Sequence, residues 1–314
     1  MANRSKKVVA VAVIIVASVA LLVTYMVLTG GKAGAEAWVK EGVRILGTYA
    51  DADVVKLPDG RYRMYYGIEP EVPGNQLEVY SAISSDGLTW SEEPGIRIRW
   101  AAMPTVIELP DGRWRMYYQG RLALKPCILS AISEDGLTFT REEGIRLETG
   151  GQGSYDSYNI GSPTIIRLDD GTYRMYYRGS MYDEASIWEK QFSFILSATS
   201  KDGLTWTKEL GVRIDGRQSP FEGHVDGPYA TKLPEGTYRL YFFVGSQDSS
   251  RDGIYKADSK DGINFTVDNH PILPKSEFGS ANNPPGDPCV IKMSDGWRMY
   301  YGIHTQGIFS AKKR

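Results

Sequence analysis

The sequence predicts an all-β fold, a five-bladed β-propeller of four-stranded blades. Three observations carry this. First, the segment DGRYRMYY (Asp59 to Tyr66) returns as DGRWRMYY (Asp111 to Tyr118), DGTYRMYY (Asp170 to Tyr177), EGTYRLYF (Glu235 to Phe242) and DGWRMYY (Asp295 to Tyr301). The five copies lie 52 to 65 residues apart, a period that marks a repeat architecture. Second, four copies are followed by another Asp-Gly element: SAISSDGLTW (Ser81 to Trp90), SAISEDGLTF (Ser130 to Phe139), SATSKDGLTW (Ser197 to Trp206) and KADSKDGINF (Lys256 to Phe265). Third, the last repeat lacks its fourth strand, whereas Trp38-Val39-Lys40-Glu41-Gly42-Val43-Arg44-Ile45 at the other end matches the Trp-x-x-x-Gly-Ile-Arg-Ile pattern that follows the second turn. This N-terminal strand is expected to complete the last blade and close the ring.

Each repeat reads as four strands. A β-branched stretch such as Val54-Val55-Lys56-Leu57 turns at Asp-Gly into the alternating Tyr/Arg/Met/Tyr strand. A third strand turns at the second Asp-Gly into a short fourth one, as in Gly95-Ile96-Arg97-Ile98 and Gly144-Ile145-Arg146-Leu147. Four strands per repeat with no helical periodicity between them describe a propeller blade. The turn acids Asp59, Asp86, Asp111, Asp135, Asp202 and Asp261 are read as turn formers, and the Tyr-Tyr pairs with Trp90, Trp114, Trp206 and Trp297 as inter-blade packing.

The chain of 314 residues is 42% hydrophobic and 24% charged with a net charge of −2, which excludes disorder and a disulfide scaffold. Cys127 and Cys289 fall in non-adjacent blades and read as buried small apolar residues. The near-neutral balance gives no electrostatic reason to expect nucleic acid. Val8 to Leu28 is a run of 21 residues without a charge or a proline, about one bilayer core long as a helix. Arg4, Lys6 and Lys7 precede it, so the N-terminus is expected in the cytoplasm and the remainder outside. The expected organisation is a cytoplasmic N-terminus (1–7), a transmembrane anchor in contact with the lipid bilayer (8–28), a linker (29–37) and the propeller (38–314). A cleaved signal peptide is the alternative, with small-residue patterns at Ala33-Gly34-Ala35 and Ala35-Glu36-Ala37, and a secreted protein would result.

In such a blade both Asp-Gly hairpins lie on one face of the ring. The loops between second and third strands and between blades share the other, and they are long: Glu148 to Asn159, Ser180 to Gln191, Asp215 to Val225 and Pro274 to Gly286. Long ordered loops on a rigid scaffold are where binding residues concentrate. The site is therefore expected on the loop face, at the mouth of the central channel.

What recurs in every blade is structural; what interrupts the pattern near the channel is a candidate for function. The position eight residues before each first-turn acid heads the inner strand and holds Asp51, Met103, Ser162, Gly227 and Asp287, with Asp226 just before the glycine. A carboxylate there has no packing role and is costly to bury unless paired. The residue three beyond the Tyr-Tyr pair ends the second strand on the same face, as in Glu69, Arg121, Ser180 and His304. Asp53 reads as a solvated neighbour of Asp51. Trp100 and Trp188 fall outside the repeat in loop-face segments, joined by Tyr155, Tyr158, Tyr182 and Phe221. Aromatic rings around a carboxylate-lined cavity suit the apolar faces of sugars, so a carbohydrate ligand is expected.

Residues 38 to 314 resemble the five-bladed propeller glycosidases, the group of arabinanases, β-xylosidases, invertases and levansucrases, with the mannoside phosphorylases as further relatives. In the arabinanase-like branch an aspartate opening the first blade is the general base and a glutamate in Glu-Gly-Pro is the general acid. Here Asp51 in Asp51-Ala52-Asp53 takes the first place and Asp226-Gly227-Pro228-Tyr229 resembles the acid motif, with Asp for Glu. Ser162 stands where a second aspartate would align, and the invertase-type Arg-Asp-Pro motif is absent. The resemblance implies a glycoside hydrolase-like protein with Asp226 as acid and Asp51 as base, and with Glu69, Arg121, Arg178, Asp287, His304, Trp100 and Trp188 binding substrate. A non-catalytic glycan- or protein-binding propeller and a phosphorylase-like enzyme are the alternatives. No cofactor is expected: the histidine spacing resembles no zinc site, and although the channel could hold Ca2+ through oxygen ligands, no loop carries a calcium pattern.

Overall fold

The Asp-Gly turns place the strands of the computed structural model, which describes residues 37–69, 72–182, 191–218, 221, 223–245, 249–278 and 283–314. Five inner strands, Tyr49–Lys56, Ala102–Glu108, Asn159–Arg167, His224–Lys232 and Pro285–Met293, line the axis. Each pairs antiparallel with a second strand (Tyr62–Ile68, Trp114–Leu122, Tyr173–Tyr182, Tyr238–Gly245, Gly296–Ile303). A third strand follows in each blade: Glu78–Ser84, Lys125–Ser133, Gln191–Ser200, Gly253–Ser259 and Gly307–Lys313. The second strands are buried on both faces because each blade is packed between two others: Tyr65, Tyr117, Tyr176 and Tyr300 point one way and Tyr66, Tyr118, Tyr177 and Tyr301 the other, all at most 1% exposed.

The fourth strand departs from expectation. In four blades it is two two-residue pieces, such as Ser91–Glu92 and Ile98–Arg99, both paired with the third strand. In the first three blades the break falls at a glycine in the left-handed region, with φ of 86° at Gly95 and 84° at Gly144 and Gly211, whereas in the fourth Asp268 to Ile272 carries no glycine. The following arginine then reaches forward to the next blade: Arg97 Nη1 donates to Leu137 O (3.3 Å), Arg146 Nη1 to Leu204 O (3.1 Å) and Arg213 Nη1 to Ile263 O (3.2 Å). Only the strand entering from the N-terminus, Trp38–Leu46, is continuous. It pairs with Gly307–Lys313 from Trp38↔Lys313 to Leu46↔Gly307 and closes the ring as expected.

A second set of contacts locks each blade to the next. Arg63 forms a two-pronged ion pair with Glu93 (2.8 and 2.9 Å) and donates to Asp135 O of the second turn in the following blade. Tyr65 donates its hydroxyl to Gly136 O (2.7 Å). The same set recurs at Arg115–Glu142 with Tyr117, at Arg174–Glu209 with Tyr176, and at Arg298–Glu41 with Tyr300 on Gly87 O. The turn acids perform as expected: Asp86 Oδ1 accepts the Leu88 and Thr89 amides at 2.8 Å. Gly87 is required twice over, by its φ of 71° and because a Cβ there would lie 2.8 Å from the Tyr300 hydroxyl.

Between blades four and five no second turn exists to receive Arg239 and Tyr241. Arg239 pairs instead with Asp258, and Trp38 meets Tyr241 edge-on at 6.2 Å. Trp90, Phe139, Trp206 and Phe265 make the same contact with Tyr300, Tyr65, Tyr117 and Tyr176 at the other joints. Trp38 is therefore the fifth inter-blade wedge.

Cys127 and Cys289 are free and buried. The expected anchor, 8–28, lies outside the described residues; among those described, no helix is long and apolar enough to cross a membrane.

Candidate functional site at the channel mouth

Every inner strand carries the same irregularity. The pairing register with the second strand shifts between Ala50 and Asp53, Ala102 and Thr105, Gly161 and Thr164, Asp226 and Tyr229, and Gly286 and Cys289. The first residue inside each bulge is one of the five equivalent positions singled out in the sequence. Asp51, Met103, Ser162, Gly227 and Asp287 have φ of 56°, 53°, 47°, 55° and 49°. Only one of the five is glycine. Holding a side chain in the left-handed region costs of order 1 kcal/mol or more, and bulges commonly re-aim a side chain next to a site.

The bulge turns these side chains toward the axis. A Cβ at Gly227 would lie 2.6 Å from Asp287 Oδ1, so the glycine makes room for that carboxylate. A Cβ at Gly67 would lie 3.2 Å from Asp51 Oδ2, which places the Asp51 carboxyl over its own second strand. Two positions further on, the side chain joins consecutive blades. Asp53 Oδ2 accepts Val106 N–H (2.7 Å), Thr164 Oγ1 accepts Ala230 N–H (3.2 Å) and Cys289 Sγ accepts Val54 N–H (3.2 Å). Asp53 is thus not the solvated neighbour expected: it is 6% exposed, and burial pushes its carboxyl up to about 7 against the pull of the Val106 amide.

A cavity of about 530 Å³ opens at this mouth. Its walls include Asp51, Asp287, Glu69, Arg121 and His304, five residues the sequence proposed for the site, together with Met103, Gln119 and Phe243. Glu69 is 3% exposed and held from two sides: Thr305 N–H donates to both of its oxygens at 3.0 Å, and His304 Nδ1 lies 3.0 Å from Oε2. Glu69 so fixes the ring of the half-exposed His304.

Asp226 belongs to a neighbouring cluster on the same mouth. Arg178 Nε lies 3.0 Å and His224 Nε2 3.3 Å from its Oδ2, while Ser162 Oγ (2.6 Å) and the Gly227 amide (2.7 Å) donate to Oδ1. Burial opposes ionisation, but the Arg178 charge, His224 and the Ser162 hydroxyl outweigh it and hold the carboxyl well below the usual range. Arg178 also donates to Gln119 Oε1 (3.2 Å), which links the cluster to the cavity wall.

The sequence pointed to His224, with His304, only as a histidine with a candidate role, and it did not point to Gln119 or Phe243. Their signal was the period of two in a strand: Gln119 shares a face with Arg121, and His224 with Asp226. Phe243 had only its register opposite Asp226 to mark it.

The aromatic residues separate. Trp100 is 63% exposed with φ of 58°, and its amide donates to Leu77 O (2.6 Å); it stands outside the cavity lining. Tyr158 and Tyr182 are exposed with ring centroids 4.1 Å apart. Phe221, expected among the loop-face rings, is instead buried at 3% against Phe242 and Tyr255. Trp188 lies outside the described residues.

Solved structures share the ring. A thermostable family-43 glycoside hydrolase superposes with a TM-score of 0.70 at 19% identity, over 88% of this chain and 91% of that one. The chain has the five-bladed fold of glycoside hydrolases. The endo-arabinase of Bacteroides thetaiotaomicron gives 0.61 at 14% identity, over 88% and 96%. A member of the mannoside phosphorylase family that contains glycoside hydrolases targeting β-1,2 mannosidic linkages in Candida mannan gives 0.64 at 15%, over 89% and 94%. These likenesses establish the fold. By sequence, no family model matches. An uncharacterized protein of Mycobacterium tuberculosis is 25% identical over 162 residues, 49% of this chain, so the match spans about half the length of that relative.

Proposed function

We propose that this glycosidase-like propeller binds a glycan at the loop-face mouth and hydrolyses a glycosidic bond there, with Asp51 and Asp287 as the working carboxylates. The observation that carries the reading is the paired bulge. Adjacent blades hold an aspartate in the same left-handed conformation, with φ of 56° and 49°, and both side chains line one cavity of about 530 Å³. Hydrolysis needs one carboxyl to protonate the leaving oxygen and a second to activate water or attack the anomeric carbon.

In this reading Asp226 is not the acid that its motif suggests. A carboxyl held ionised by Arg178 and His224 has no proton to give at neutral pH. Its role is to orient Arg178, and through it Gln119, toward the ligand. Asp51 keeps the role of base, and Asp287, set against Gly227, takes that of acid.

The test is turnover of aryl glycosides and oligosaccharides by the wild type, Asp51→Asn and Asp287→Asn. Each change is expected to lower kcat by about 100-fold or more, as loss of a general acid or base does, with KM moving only a few-fold. A second reading, a binding propeller without catalysis, is favoured by the ionised Asp226. Ligand binding by the wild type with no turnover on any substrate would select it.

A further inference from the structure

Among the described residues the mouth carries four basic side chains that differ in what they already contact. Arg178 and His224 are committed to Asp226, and His304 to Glu69. Arg121 differs: among the described residues its guanidinium has neither an ion-pair nor a hydrogen-bond partner, yet it lines the cavity with Asp51, Glu69 and Asp287. It stands near the end of the second strand Trp114–Leu122, directly before the tight turn in which Ala123 and Leu124 have φ of 48° and 68°. Gln119, two residues earlier on the same strand face, also lines the cavity. Its Oε1 accepts from Arg178, which leaves its amide hydrogens as further donors on that wall.

We infer that Arg121 is a specificity-determining residue that reads a carboxylate on the sugar, so that the preferred ligand is an acidic glycan of the uronic-acid type. The inference rests on the glycan reading above and adds the substrate class to it. Charge decides which anion fits. Asp51, Glu69 and Asp287 stand on the same wall, so a doubly charged phosphate entering the cavity would be repelled more strongly than a singly charged carboxylate. A singly charged planar carboxylate matches the two-pronged fork of one guanidinium. A neutral sugar is the poorer ligand because it offers the Arg121 guanidinium no anion while covering it.

The experiment measures binding of oligouronides and of the same oligomers after methyl esterification, which removes the charge and keeps the skeleton. It uses the full-length protein in mild detergent, by calorimetry, with inorganic phosphate as a competitor. The free acids are expected to bind roughly 10- to 100-fold more tightly than their esters, the range of a hydrogen-bonded charge. Arg121→Gln should bring that ratio close to one, Arg121→Lys should restore part of it, and phosphate should compete weakly. Equal binding of acids and esters by the wild type overturns the role of Arg121 and leaves the glycan reading standing. A preference for acids that survives Arg121→Gln overturns it as well. Binding of neither overturns the glycan reading and this inference together, and strong competition by phosphate overturns the choice of carboxylate.

Discussion

Asp53 is a carboxyl at the mouth that burial strongly perturbs. It is buried, it accepts the Val106 amide, and its neighbours Cys289 and Tyr229 bring no positive charge. Its carboxyl is raised from an ordinary 3.8 to about 7, so between those values the folded chain holds a proton that the unfolded chain releases. Stability from this group is therefore greatest below about pH 4 and falls as pH rises toward 7, by roughly 4 kcal/mol in all at 1.36 kcal/mol per unit. Asp53→Asn, which keeps an acceptor for Val106, is expected to match the wild type at pH 4.5 and exceed it at pH 8, measured by guanidinium unfolding. An unchanged pH slope would remove Asp53 as its source. None of this was legible in the sequence, where Asp51 and Asp53 look alike. They sit on either side of a bulge that sends one to the cavity and the other into the wall between blades.

The inner-strand bulge and the broken outer strand are the two elements that the repeat concealed. The bulge residue is followed by proline in four blades, and proline pushes its predecessor toward extended conformations, so nothing in Met103-Pro104 or Asp287-Pro288 announces a left-handed turn. The Gly-Ile-Arg stretch reads as a strand, but its arginine spends its length on the next blade. The hairpins, in contrast, were fully legible, because Asp-Gly chemistry is local. So was ring closure, because Trp38 and Glu41 repeat the spacing of Trp90 and Glu93. Trp38 fills a joint that has no second turn, and Trp38→Ala is expected to cost about 3 kcal/mol, the usual loss for a large buried aromatic, seen as a lower Tm. Val39→Ala, 37% exposed on the same strand, should cost under about 0.5 kcal/mol. Equal small effects would mean that the N-terminal strand pairs without locking the ring.

At the scale of the molecule the organisation is a rigid ring with two unlike faces. We propose that residues 8–28 hold it at the membrane with the ring outside the cytoplasm. Retention in the membrane fraction after alkaline washing, with loss of the ring to external protease in intact cells, is the expected result; release of soluble protein would indicate cleavage. The repeat disclosed the number of blades, and it gave the loop face as the expected place for a site, since tight hairpins crowd one side and long loops the other. It could not disclose that a second cavity of comparable size, about 580 Å³, lies on the hairpin face between Thr172, Arg174, Lys201 and Thr205. The most direct test of the functional claim is a crystal structure of the Asp51→Asn variant with a bound oligosaccharide. The sugar is predicted in the loop-face cavity, with one glycosidic oxygen between residue 51 and the Asp287 carboxyl and its acidic group on Arg121. A sugar seated in the hairpin-face cavity, with the mouth empty, would contradict it.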